Sequence, residues 1–240
     1  TVNIMGGEVG RQSLALAGST INLSGGTLGP FFSANLGSTL NISGGEFFLN
    51  GEQVTGLDEA GDSINVDLSG VNLTATLADG TVRVFGPLRF DDVRNANVNL
   101  ISSPLPPIVD IVNIPSDTVP SGLRAGQTLN LTAGGGLPDF FATTGSTINI
   151  GGGAAGKHLL IGVGSTLNIS GGMVGENLNV SPGSTVNING GIIAPDLSIS
   201  GTANITSGMI GRSLDAFSGS TVNLFGGTWN QGFHAHSGSV

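Results

Sequence analysis

The sequence predicts an all-β fold, a parallel β-helix (β-solenoid) with about 19 residues per coil and three short strands per coil. Three observations point to it. The first is a recurring unit, seen in Gly18, Ser19, Thr20, Ile21, Asn22, Leu23, Ser24, Gly25 and Gly26. Close copies begin at Thr1, Thr39, Thr147, Thr166, Thr185 and Thr221, looser ones at Thr128 and Thr202, and most neighbouring starts lie 19 residues apart. The second is strict alternation of apolar and polar residues within the unit, the period of a strand with one buried and one wet face. The third is the Gly pair that follows, which supplies backbone angles that residues with a side chain avoid.

The elements of one lap follow in order. Ile21 and Leu23, like Val2 and Ile4, Leu40 and Ile42, Ile148 and Ile150, Leu167 and Ile169, Val186 and Ile188, and Val222 and Leu224, are the inward pair of the first strand. After the Gly turn a second strand opens on one apolar residue: Val9, Leu28, Val174, Ile210 or Trp229. A third carries pairs such as Phe32 and Ala34, Phe140 and Ala142, Leu159 and Ile161, Leu178 and Val180, Leu214 and Ala216, and Phe233 and Ala235. Gly-Ser then returns the chain to its starting place. So short a unit cannot bury its apolar positions alone, whereas laps stacked about 4.8 Å apart bury them against one another. The preference of parallel crossovers for one hand predicts a right-handed coil.

The expected organisation is one continuous solenoid over residues 1–240, with regular coils over 1–45 and 128–240 and irregular coils over 46–127. In the irregular part, strand-like starts at Ser63, Thr81, Asn97 and Ile111 predict further laps, with an inserted loop from Gly51 to Gly61. This centre holds 11 of the 16 acidic residues, and six of the ten prolines fall between Pro87 and Pro120. Proline cannot donate to a strand ladder, so Pro104, Pro106 and Pro107 predict a poorly paired edge or bend. The alternative is two modules hinged near Ser102 to Pro107.

Composition narrows the function classes. A net charge of −9 with a single Lys argues against a nucleic-acid partner, because phosphate binding needs clustered cations. No apolar run approaches the roughly 20 residues of a membrane helix, so membrane insertion is not expected. The absence of Cys excludes disulfides and thiol catalysis. Thr1 opens inside the repeated unit, and Ser239 and Val240 stop where another would begin. The expectation is therefore a piece of a longer chain.

The most regular outward features are a Thr column and an Asn column, including Thr20, Asn22, Thr39, Asn41, Thr147, Asn149, Thr166, Asn168, Thr185, Asn187, Thr221 and Asn223. Stacked Asn amides can bond one another, and β-branched Thr favours strands, so the columns serve the fold on one reading. On another they form a flat face that contacts ice or glycans. Asn-x-Ser/Thr sequences, as at Asn22 and Asn168, are a by-product of the repeat. His234 and His236 alternate across Ala235, with Asp215 one lap earlier, which makes these three the candidate metal ligands. His158 has no comparable partner and is read as a surface residue. Catalysis on polysaccharides would need clustered carboxylates on one face. The acids at hand, Asp58, Glu59, Asp62, Asp67, Asp91 and Asp92, fall mostly in irregular loops, so no catalytic residue is assigned. No cofactor is expected, with loop calcium binding through Asp58, Glu59 and Asp62 as the weak exception.

The Gly-Ser-Thr-Φ-Asn-Φ-x-Gly-Gly units, Φ being apolar, resemble repeat regions of giant secreted bacterial surface proteins, the β-helical adhesins and autotransporter-like passenger regions. The resemblance stops at the irregular centre. It implies an extracellular or cell-surface rod that spaces other parts or assembles with its like, head-to-tail or laterally. The expectation is a non-enzymatic structural solenoid, fibre-forming or adhesive. The alternative is a ligand-binding solenoid using the Thr/Asn face, and a polysaccharide-active enzyme ranks below both.

Overall fold

The computed structural model describes residues 1–10, 12–29, 32–86, 93 and 95–240. Among these the regular elements are all strands. They fall into two compact units, Thr1–Pro107 and Ile108–Val240, described here one at a time.

In the second unit the strands Ile111–Ile114, Thr128–Leu131, Thr147–Ile150, Thr166–Ile169, Thr185–Ile193, Thr202–Ala216 and Thr221–Leu224 stack in parallel, each on the next. Register is kept residue for residue, so that Ile148 pairs with Leu167 and Asn149 with Asn168. The inward side chains Ile148, Ile150, Leu167, Ile169, Val186 and Ile188 are wholly buried. Second-strand residues such as Val174 and Ile193 and third-strand residues such as Phe140, Leu159 and Leu178 join them in one apolar cluster. This is the predicted β-solenoid, with three walls around a dry centre.

Two corners explain how the register survives. Gly172 lies at φ +75°, and a Cβ there would come within 2.7 Å of the Gly153 carbonyl oxygen in the lap before. Only glycine lets successive laps approach so closely. The lap that starts at Thr185 is two residues short, yet Leu178–Val180 still pairs with Leu197–Ile199 and Thr185 with Thr202. The deletion is absorbed at Ser200–Gly201, where a Gly201 side chain would collide with the Ser184 carbonyl.

In the first unit Val2–Val9, Thr20–Leu28 and Thr39–Leu49 stack in parallel, and the fourth member of the stack is Asn97–Ser102, with Val98 against Leu40 and Leu100 against Ile42. The laps expected from Ser63 and Thr81 are corrected. Ser63–Val66 runs antiparallel to Asn97–Ser102, and Leu73–Leu77 runs antiparallel to both Thr39–Leu49 and Val82–Phe85. The expected loop from Gly51 to Gly61 is only the start of this excursion, which leaves the stack after Leu49 and rejoins it at Asn97. A period of two is the same in parallel and antiparallel strands, so alternation alone could not separate them.

Local chemistry makes the excursion possible. Leu49 pairs with Glu52 across Asn50 and Gly51, both at positive φ, which is the two-residue hairpin that Asn-Gly favours. A side chain at Gly44 would collide with the Thr76 carbonyl, so the bare glycine admits the antiparallel strand. At the hairpin tip Asp79 accepts a hydrogen bond from the Gly26 N–H at 2.7 Å, tying the excursion to the second lap. Leu73, Leu77 and Phe85 then enter the same apolar cluster as Leu23, Leu40 and Val98. Residues 103–109 form no strand, and Leu105 lies over Gly45 while Pro106 lies over Gly80.

Candidate functional site

The face proposed from the sequence is built lap by lap. The twelve Thr and Asn side chains named above are half-exposed and, in every strand but Thr221–Leu224, alternate with buried residues. In the second unit the amide nitrogen of each column Asn after Asn113 donates to the amide oxygen of the Asn one lap earlier. The column runs from Asn130 on Asn113 at 2.9 Å, through Asn149, Asn168, Asn187 and Asn204, to Asn223 on Asn204 at 2.8 Å. The first unit has its own column, Asn22 on Asn3 and Asn41 on Asn22 at 2.7 Å and Asn99 on Asn41 at 2.8 Å. It is continued by Asn65, whose amide donates to Asn99 at 3.0 Å from the antiparallel strand.

These bonds divide the face chemically. Each mid-column Asn spends one N–H and one lone pair on its neighbours and keeps the others for solvent. Aligned amides polarise one another, so the column is stronger than isolated pairs. The Thr hydroxyls at 20, 39, 147, 166, 185 and 221 have no hydrogen-bond partner among the described residues. They form ranks of free donors and acceptors beside a self-satisfied Asn rank. The Ser that precedes the Thr plays a different part, which sequence reasoning did not assign. Ser146, Ser184 and Ser220 are buried, and their hydroxyls close the corner onto the carbonyls of Thr143, Ser181 and Phe217 at 2.6–2.7 Å.

His234, His236 and Asp215 do come together. Asp215 pairs with His234 across neighbouring strands. Its Oδ1 lies 3.0 Å from His234 Nδ1 and 3.6 Å from His236 Nε2, and its Oδ2 accepts from Ser213 Oγ at 2.7 Å. The Ser213 hydrogen bond, with lesser help from His234 and His236, holds the Asp215 carboxyl below the ordinary aspartate range. His236 also stacks on Phe217, ring centroids 4.9 Å apart. The arrangement is a hydrogen-bonded clasp between laps. Among the described residues no group of three or more His, Asp or Glu is arranged to hold a metal ion.

The loop acids serve their own turns. Asp62 accepts from the Glu59 N–H at 2.8 Å, and Asp67 accepts from the Ser69 N–H at 2.9 Å. Asp67 is held below its ordinary range by Ser69. Asp91 and Asp92 lie outside the described residues. His158 is exposed at a corner, at φ +57°, and its N–H donates to the Glu176 carbonyl one lap on. Asn177, Asp196 and Ser213 occupy the same corner in later laps, also at positive φ.

No protein-family model matches the chain, and comparisons with curated proteins and with solved structures returned no match.

Proposed function

We propose that this chain is a non-enzymatic extracellular or cell-surface scaffold whose solenoid associates with further copies into fibres or adhesive arrays. The observation that supports the reading is the residue-for-residue register of the stacked laps, in which each lap repeats the backbone ladder and the Asn amide column of its neighbour. A surface so regular offers a second copy of the chain the same groups at every step, end-on or laterally. Electron microscopy and sedimentation of the full-length protein test this: filaments or concentration-dependent oligomers are expected, and isolated monomers at all concentrations would sink it.

A second reading, a ligand-binding face, is favoured by the free Thr hydroxyls. Ice would be held by the regular ranks of Thr147, Thr166 and Thr185, glycans by the same hydroxyls with the outward amide groups. Thermal hysteresis that is abolished by Thr147→Tyr and Thr166→Tyr supports the ice form. Hysteresis that is absent, or unaffected by both substitutions, removes it.

A further inference from the structure

The outer face of the second unit's second strands differs in character from the Thr/Asn face. Ala154, Met173, Ile192 and Met209 stack there in register, with Met173 50%, Ile192 44% and Met209 43% exposed. This aliphatic column leads into a groove of about 440 Å³ walled by Ile192, Pro195 and Met209 and closed by Arg212, Asn230 and Gln231. The volume falls within the roughly 300–1,000 Å³ of small-molecule clefts. Among the described residues no acid lines the groove, although the chain carries 16 acidic residues against seven Lys and Arg. The Arg212 guanidinium is exposed and has no partner among the described residues.

We infer that this groove is a binding site for an acidic carbohydrate, a sugar bearing a carboxylate. Each wall supplies one part of that recognition. The guanidinium matches a carboxylate in a bidentate fork. The Asn230 and Gln231 amides can donate to and accept from ring hydroxyls. The Ile192 and Met209 side chains offer an aliphatic surface to the C–H face of a sugar ring. An extended peptide is the weaker fit, because the backbone around the groove is already committed. The Ile192 N–H bonds the Gly172 carbonyl at 3.0 Å, the Ala194 N–H bonds the Val174 carbonyl at 2.8 Å, and Met209 and Ile210 are paired on both sides. On that side of the groove no sheet edge is open for strand addition. The site needs neither the fibre reading nor the Thr/Asn face.

The test is titration of the whole chain with an oligogalacturonate trimer, its methyl-esterified neutral counterpart and an acidic peptide of equal charge, followed by calorimetry and by the methyl resonances of Ile192 and Met209. The acidic trimer is expected to bind and shift those methyls, more weakly at high salt. The ester is expected to bind about tenfold or more weaker, the loss of one charge-assisted contact. Arg212→Gln is expected to reduce trimer affinity to that of the ester, and Lys157→Gln, three laps earlier on the same corner and already paired with Glu176, to leave it unchanged, with circular dichroism confirming that each variant is folded. Three results would overturn the proposal: no binding of the acidic trimer at tens of millimolar, equal binding of acid and ester, or tighter binding of the peptide than of the sugar. Unchanged trimer binding by folded Arg212→Gln would also remove it.

Discussion

Asn168 sits inside the second unit's amide column, donating to Asn149 and accepting from Asn187. Asn168→Ala removes both bonds and leaves two half-satisfied amides on a partly buried face. Because an unmade bond costs more than a made one gains, a loss of about 1–3 kcal/mol is expected. Asn223, which makes one such bond, should lose less on the same substitution. Urea midpoints at fixed m would show the difference. Equal midpoints for Asn168→Ala and the parent would mean the column adds nothing to stability. Asp215 supplies a pH-dependent counterpart. Its carboxyl is held below the ordinary range in the folded chain, first by Ser213, so it contributes stability above the unfolded value of about 3.9 and loses it as pH falls through the lower folded value. Asp215→Asn should therefore be less stable than the parent at pH 7, with the gap closing below about pH 4. A gap constant down to pH 2 would assign the effect to packing instead.

At the scale of the element, the hairpin of Leu73–Leu77 and Val82–Phe85 is held to the solenoid by Asp79. Its Oδ2 takes the Gly26 N–H and its Oδ1 the Thr81 N–H at 2.8 Å. Asp79→Ala should cost about 1–2 kcal/mol and speed hydrogen exchange at Gly26 and Thr81 together. Faster exchange at Thr81 alone would mean that the tip closes its own turn and does not dock. The same hairpin marks the limit of what was legible in the sequence. The inward pairs, the Gly corners and the Thr and Asn columns are written in the repeat itself, because each lap meets a copy of itself in the same register. The excursion from Asn50 to Ala96 meets no copy of itself, so periodicity carries no information on what it packs against. Two local signals were present, Asn50-Gly51 and Asp79-Gly80, both of hairpin type. Gly44 carried a second meaning that no spacing reveals, since its bare Cα admits Thr76 from far along the chain. For the site, the sequence placed His234, His236 and Asp215 together. The groove at Arg212 joins three laps through residues that do not repeat, so only the folded chain displays it.

For the molecule as a whole, the buried apolar residues make one cluster in each unit, from Ile4 to Leu100 in the first and from Val112 to Ala216 in the second. Solenoid stability is close to a sum over laps and their interfaces, so cooperativity extends only as far as neighbouring laps support one another. In the second unit the uninterrupted register from Ile111 to Leu224 should keep its seven parallel strands in one cooperative block. In the first, the antiparallel excursion contributes Leu73, Leu77 and Phe85 to the core and should melt with the laps it covers. Leu23 and Leu167 are both wholly buried, one in each cluster, and truncating either to Ala should cost about 2–5 kcal/mol. The expectation is two separable transitions in urea, with Leu23→Ala lowering one midpoint and Leu167→Ala the other, read by hydrogen exchange at Leu40 and Ile188. If each substitution lowers protection equally at both reporters, the chain unfolds as one cooperative body and the two-block account fails.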